Sequence, residues 1–337
     1  MTKDSRPLIS LVCPVFNEIE NVGVFYDEVL SAISDQDFDV EFIFVNDGSR
    51  DGTLAALRNM ADKDSRVVVY NFSRNFGASA ACACGLSHAT GDAAILISVD
   101  LQDPPTLIPE LVAKWRDENE IVWATRDTRD DPVSKKLFAR LFYAIIRLFV
   151  FKDYPRDGTD VGLFSRRVID VYKSLPERDS NPFFTLYSLG FQQARVPYHR
   201  QSRRAGESGW PFWRRVKAAI DIVTSFSYFP LRIISVSGML IASASMIFGL
   251  NIIIRRVFFD LGGAGWPSLA VLILFLGGLQ MLFIGIIAEY VWRISEQTRQ
   301  RPRYIITERI GKGPRVLEGS PKLDPLDLDV SGTYPRD

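Results

Sequence analysis

The chain has 337 residues, room for about two domains at ~150 residues each, and its 47% hydrophobic and 24% charged residues exclude disorder over most of that length. Its 40 basic and 40 acidic residues cancel, so there is no global polyanion-binding surface, no nucleic-acid partner is expected, and charge has to be read locally. Three cysteines and two histidines exclude a disulfide scaffold and give no zinc spacing, and the N-terminal MTKDSRPLIS lacks the apolar core of a cleaved signal peptide.

Four runs read as buried strands: LISLVCPVF (8–16), VEFIFVND (40–47), RVVVYNFS (66–73) and AAILISVD (93–100). Each is rich in Val, Ile and Phe and ends in turn chemistry. Helix-length stretches at 18–34, 51–63 and 75–90 separate them. Strand, helix, strand at this spacing predicts βαβ units and a parallel sheet, in which ligands bind at the carboxyl ends of the strands. Those ends carry polar clusters: Asn17 and Glu18 after Pro14, Asn46 to Ser49, Ser73 to Asn75, and Asp100 to Asp103.

Asp100 and the amide oxygen of Gln102 can hold one face of a hard cation such as Mg²⁺ or Mn²⁺, which takes carboxylates together with substrate phosphates. Asp103 is expected to cap a helix opening at Pro104-Pro105. In Asn46-Asp47-Gly48-Ser49, Gly48 allows a tight backbone and Asp47 can accept hydrogen bonds from a base or ribose. No Gly-x-Gly-x-x-Gly follows the first strand and no P-loop occurs, so a pyrophosphate would need a metal and basic side chains. Arg126 and Arg129 follow the strand-like IVWAT, and Arg200, Arg203 and Arg204 precede Gly-Glu-Ser-Gly-Trp. Positive-inside bias and phosphate binding are compatible readings of the second cluster.

KKLFARLFYAIIRLFVF (135–151) reads equally as a core helix or as one lying on a membrane surface. Residues 233–254 and 266–288 are uncharged runs of 22 and 23 residues. A span needs roughly 20 apolar residues. The 11 residues between them make a hairpin. Its flanks are basic: 199–217 holds six Lys/Arg against one Glu, and 293–315 holds seven against two. Positive-inside bias then places the N-terminal domain and the C-terminus in the cytoplasm, in a protein integral to the inner or plasma membrane. Trp266, Tyr290 and Trp292 suit interface anchors, and 211–229, with Trp210 beside it, suits an interfacial helix. The expected organisation is a catalytic domain at 1–210, a juxtamembrane region at 211–232, the spans within 233–292, and a tail at 293–337 whose end is disordered. The small-residue faces around Gly277-Gly278 serve either self-association into a homo-oligomer or closure of the hairpin.

Taken together, PVFNE (14–18), NDGSRDGT (46–53), SRNFG (73–77), DLQDPP (100–105), RAGESG (204–209) and two spans ending in IAEYVWRI (287–294) resemble the polyprenyl-phosphate glycosyltransferases of glycosyltransferase family 2. The bactoprenol glucosyltransferase branch is the most similar. The resemblance implies an α/β, GT-A-type Rossmann-like mixed sheet followed by a two-helix transmembrane hairpin. It implies an inverting transfer of a hexose, glucose from UDP-glucose favoured, to undecaprenyl or another polyprenyl phosphate. Mannose and N-acetylhexosamine donors are the alternatives.

The same resemblance implies donor contacts at Pro14, Asn17, Glu18, Asp47, Ser49, Arg74 and Asn75, and acceptor-phosphate contacts at Arg126, Arg129, Arg200, Arg204 and Ser208. It puts metal ligation on Asp100 and Gln102, and further active-site acids at Asp157 and Asp160. Asn46 and Ser98 stand where the family carries acids. The loss at Ser98 is the sole support for a rival reading, a catalytically silent, membrane-tethered scaffold that binds sugar nucleotides.

Overall fold

The computed structural model describes residues 6–129, 142–155, 158–175, 181–201, 222, 227, 229–259, 265–298 and 302–313. Two compact units divide the chain: one joins 1–145, 153–211 and 302–337, and the other joins 146–152 and 212–301.

In the first unit, β1 (Leu8–Val15), β2 (Asp39–Asn46), β3 (Val67–Phe72) and β4 (Ala93–Leu96) form the predicted parallel core. They alternate with α1 (Ile19–Ile33), α2 (Thr53–Lys63) and α3 (Ala78–His88), and α4 (Leu107–Arg116) follows β4. Then come β5 (Ile121–Arg129), β6 (Val161–Ser165), α5 (Arg166–Ser174), α6 (Pro182–Ser188) and β7 (Gln193–Arg200). A last strand, β8 (Ile306–Ile310), follows the apolar helices. The sheet order is β7-β5-β6-β4-β1-β2-β3-β8. β6 runs antiparallel to β4 and β5, and β8 antiparallel to β3, so the sheet is mixed, as the resemblance implies.

The strands were legible as continuous apolar runs because both faces of the sheet are buried. On β2, Val40, Phe42 and Phe44 join the core under α1, α2 and α4, while Ile43 and Val45 join the core under α3, α5 and α6. At the amino ends of the strands, buried Glu41 ties β2 to the 89–92 turn. It accepts from Ser10 Oγ, Thr90 N at 2.7 Å, Thr90 Oγ1 at 2.9 Å and Gly91 N at 3.2 Å.

β8 lies beyond the 1–210 range expected for the catalytic domain, in what reads as a tail. Its strand-like signal, Tyr304-Ile-Ile-Thr307 between Pro302 and Gly311, is short, and its partner lies more than 230 residues away. It covers the open edge of β3, where unpaired backbone groups would otherwise face solvent. Ser73 N donates to Ile305 O at 3.0 Å, Tyr304 stacks on Phe72 at 5.0 Å, and Arg58 pairs with Glu308.

On α1 and the turn after α2, Asp64 accepts from the backbone and guanidinium of Arg66 and from the Tyr26 hydroxyl. Burial alone would raise its pKa, but these bonds together hold it down at about 2. A carboxylate depressed on folding stabilises above its unfolded pKa, and that contribution fades as pH falls through the folded value. The melting-temperature gap between wild type and Asp64→Asn is therefore expected to be full at pH 5 and to close between about pH 4 and 2. A gap that stays constant over that window would remove the assignment.

The second unit holds α7 (Phe229–Phe259) and α8 (Trp266–Thr298). Both are long and apolar enough to cross a membrane, with qualifying windows at Phe229–Phe248 and Phe275–Trp292. Met239, Met246, Phe258 and Met281 are each more than 70% exposed, so among the described residues nothing covers these apolar side chains. Residues 142–149 are helical, whereas 130–141 and most of 211–228 lie outside the described residues, as do the readings made for them.

Candidate active site

The parallel strands β3-β2-β1-β4 bring four loops to one rim, as their shared direction requires. The loops after β1 and β2 are knitted together. Asn17, at φ 54°, donates its backbone N–H to Ser49 Oγ at 2.9 Å, and its side-chain oxygen accepts from Arg50 N at 2.9 Å. Glu18 N donates to Thr53 Oγ1 at 3.0 Å. Pro14 is half-buried on β1.

Asp47 is buried and binds the loop after β3, accepting from Phe76 N at 2.6 Å and Gly77 N at 2.9 Å. Burial pushes its carboxyl above the usual range, and the two amides and Arg74 offset only part of this. Its first role is thus to fix the 73–77 loop. Asn46 continues the chain of contacts, donating to Asn71 Oδ1 at 2.7 Å, and Asn71 donates to Thr307 Oγ1 at 3.0 Å. Arg74 lies over the Phe76 ring at 4.0 Å and, like Asn75, is exposed.

Gly48 sits at φ +69°, and a Cβ there would lie 2.6 Å from the Arg74 carbonyl carbon. Only glycine satisfies both constraints. Gly48→Ala is expected to destabilise the protein by about 1–3 kcal/mol, read as a lowered melting temperature. An unchanged melting temperature would mean that these two loops do not pack in this way.

At the end of β4, Asp100 and Asp103 are buried, and Leu101 has φ 57°. Asp100 Oδ1 accepts from Gln102 N at 3.2 Å, and Asp100 N donates to Ser98 Oγ at 3.5 Å. A carboxylate and a carboxamide in one short loop form an oxygen donor set that suits a hard divalent cation completed by substrate phosphates. Among the described residues, no group of three or more His, Cys, Asp or Glu gathers to hold a metal.

The expected cap at Asp103 is not observed. The helix starts at Leu107 with Thr106 in the cap position, because the Pro104-Pro105 segment forms a turn first. Asp103 instead turns inward and accepts the Tyr198 hydroxyl. Burial and the Asp103 carboxylate push the Tyr198 phenol well above its ordinary pKa, so it remains a donor.

β5 and β7 complete this side. Arg126 is opposite Tyr198 in register, just before a bulge. Its buried side chain pairs with Asp160 and donates to Tyr198 Oη at 3.4 Å. Arg200, one strand period after Tyr198, donates to Gln102 Oε1 at 3.0 Å and lies 3.6 Å from both Asp103 and Asp160. Buried charges need partners: Asp103 and Arg126 are buried, and half-buried Arg200 and the exposed Asp160 balance them.

The structure therefore gathers Asp100, Gln102, Arg126, Asp160 and Arg200 on one side of the rim, and Asn17, Glu18, Asp47 and Ser49 with the Arg74-Asn75 loop on the other. Asp157, Arg204 and Ser208 lie outside the described residues, and Arg129 is described only as part of β5. Sequence reading missed Asp103 and Tyr198. The available signal was the period-two pair Tyr198 and Arg200, which shares one face of a strand.

The pattern described as glycosyl transferase family 2 matches residues 10–172. The chain is 41% identical over 302 residues to a bactoprenol glucosyl transferase of Shigella phage SfX, covering 89% of this chain and 99% of that protein. It is 40% identical to a prophage bactoprenol glucosyl transferase homolog of Escherichia coli (strain K12), covering 88% and 98%. Among solved structures it is similar to glucosyl-3-phosphoglycerate synthase from Mycobacterium tuberculosis, at a TM-score of 0.49 and 18% identity, covering 65% of this chain and 78% of that one.

Proposed function

This chain belongs to glycosyl transferase family 2, and from that premise we propose that it transfers glucose from UDP-glucose to a polyprenyl phosphate with inversion at the anomeric carbon. The observation that carries this reading is the match to bactoprenol glucosyl transferases over nearly their whole length, apolar helices included. The lipid acceptor explains those helices. A long isoprenoid leaves the bilayer at a cost of about 0.8 kcal/mol per CH₂, so the enzyme has to reside at the membrane. Basic flanks on both sides of the hairpin support a cytoplasmic catalytic unit and C-terminus.

In this reading Asp100 and Gln102 hold Mg²⁺ or Mn²⁺, which when bound neutralises the leaving diphosphate. The acceptor phosphate, with a second pKa near ~6, is ionised near neutral pH and needs no strong base. Its oxygen attacks the anomeric carbon, and the bond from that carbon to the diphosphate oxygen breaks with its electron pair leaving on UDP. The protein's work is then to orient and to screen charge. Asp47 and Gly48 fix the loops expected around the nucleotide. Arg126 pairs with Asp160, and Arg200 is assigned to the acceptor phosphate. Arg129, Arg204 and Ser208 are assigned to that phosphate as well, and Asp157 stays with Asp160 as a candidate acid.

The test is transfer in vesicles with undecaprenyl phosphate, Mg²⁺ or Mn²⁺, and a panel of labelled nucleotide sugars. Label from UDP-glucose entering the lipid, and lost on chelation, is the expected result. Label from another donor would move the sugar assignment to mannose or an N-acetylhexosamine. No lipid product from folded protein would favour the silent scaffold.

A further inference from the structure

The carboxamide oxygen of Gln102 already has an occupant, Arg200 Nη2 at 3.0 Å. A guanidinium only donates, so the contact turns the oxygen rather than the nitrogen of Gln102 toward Arg200. Arg200 is held from two further sides, with Nε 3.6 Å from Asp103 Oδ1 and Nη2 3.6 Å from Asp160 Oδ2. Both lie beyond hydrogen-bond length. Arg200 Nε and Asp103 Oδ2 are each buried without a hydrogen-bond partner among the described residues. Asp103 is fully buried and anchored by Tyr198, which Arg126 contacts in turn. A buried carboxylate with an unused oxygen, next to a half-buried arginine whose buried Nε–H is unused, is a costly arrangement at rest.

We propose that Asp103, with Tyr198, is a positioning residue that holds Arg200 on the Gln102 oxygen, so that Arg200 and a divalent cation are alternative occupants of that oxygen. This rests on the assignment of Asp100 and Gln102 to the cation. The Gln102 oxygen has two lone pairs, but a cation and a guanidinium on it together would repel at short range in a site largely shielded from solvent, so the two compete for it. Arg200 must withdraw, and it then carries donors suited to a phosphate. Donor loading thereby frees an arginine for the acceptor. By reciprocity, a phosphate drawing Arg200 away tightens cation and nucleotide binding by the same factor.

The experiment measures Mn²⁺ binding in the presence of UDP, by calorimetry and by the Mn²⁺ resonance signal, with and without a short water-soluble polyprenyl phosphate. Wild type, Asp100→Ala, Arg200→Ala, Arg200→Lys and Asp103→Asn are compared in full-length protein whose melting temperature is checked. In wild type the lipid phosphate is expected to tighten Mn²⁺·UDP binding at least about fivefold. Arg200→Ala is expected to bind Mn²⁺·UDP more tightly than wild type without the phosphate, and to lose the coupling.

Arg200→Lys keeps the charge but cannot span Gln102, Asp103 and Asp160 together, so it should also lose the coupling. This separates competition for the oxygen from plain electrostatics. Asp103→Asn, similar in size and still able to accept from Tyr198, should weaken the coupling. Equal or weaker Mn²⁺·UDP binding in Arg200→Ala, or coupling that survives there, overturns the proposal while Asp100-dependent Mn²⁺ binding leaves the functional reading standing. Absence of Mn²⁺ uptake by wild type with UDP overturns both.

Discussion

Asp100→Ala is expected to lower glycosyl transfer about 1,000-fold or more, the scale seen when a charge-stabilising group is removed from a reacting centre. Asp100 is buried at the end of β4, beside Gln102, and supplies the one carboxylate of the Asp100–Gln102 oxygen pair. Ser98 stands in place of a second acid, and the other carboxylate of this loop, Asp103, is turned inward to the Tyr198 hydroxyl. The alanine also removes the acceptor of Gln102 N, so a second variant is needed to separate charge from loop geometry. Asp100→Asn keeps an oxygen for Gln102 N and removes the charge. Transfer lost in both variants, with melting temperatures near wild type, assigns the effect to the charge. Transfer retained in Asp100→Asn would assign Asp100 to holding the loop and take the cation off it.

Glu41→Ala should have the opposite signature, a large loss of stability without direct damage to the rim. Glu41 is buried at the amino ends of the strands, away from the loops that carry the site. It satisfies two backbone N–H groups and two hydroxyls in the β1, β2 and 89–92 junction. Truncation takes the acceptor from Thr90 N and from the Ser10 and Thr90 hydroxyls and leaves Gly91 N only Ser10 Oγ at 2.9 Å, in a turn where a Cβ on Gly91 would already meet Leu8 O at 2.5 Å. The turn therefore has no room to rearrange. At about 1–3 kcal/mol for each orphaned buried group, the expected loss is about 3 kcal/mol or more. That corresponds to a melting temperature lower by about 6–12 °C. Glu41→Gln, which can still accept from one side, should lose less. A shift within about 0.5 kcal/mol for Glu41→Ala, the range of ordinary surface substitutions, would remove the structural role assigned here.

Two families of feature separate by how far apart their partners lie in the chain. β1 to β4 were legible because each is buried on both faces, which writes a continuous apolar run into eight or fewer residues. The two apolar helices were legible as long uncharged runs of membrane-spanning length, and the polar clusters by their place directly after the apolar strand runs. β6 is five residues long, and β7 alternates toward a half-exposed edge, so neither gave a run strong enough to read. β8 is a strand only because the β3 edge is there to receive it. Asp103 illustrates the limit most directly. Its local context, an acid before two prolines, reads as a helix cap, yet its partners Tyr198 and Arg200 lie on β7, almost a hundred residues further on.

The sequence by itself determined the α/β class, the parallel core, the two spanning-length helices and which loops carry polar chemistry, because burial and turn formation act within a few residues. Only the tertiary structure decided that Asp47 clamps the loop after β3, that β8 closes the sheet, and that Asp103, Arg126, Asp160, Tyr198 and Arg200 form one charge-balanced cluster around Gln102. Those outcomes follow from strand order, which brings the ends of β4, β5 and β7 together, and from the need of each buried charge for a partner that sequence distance conceals.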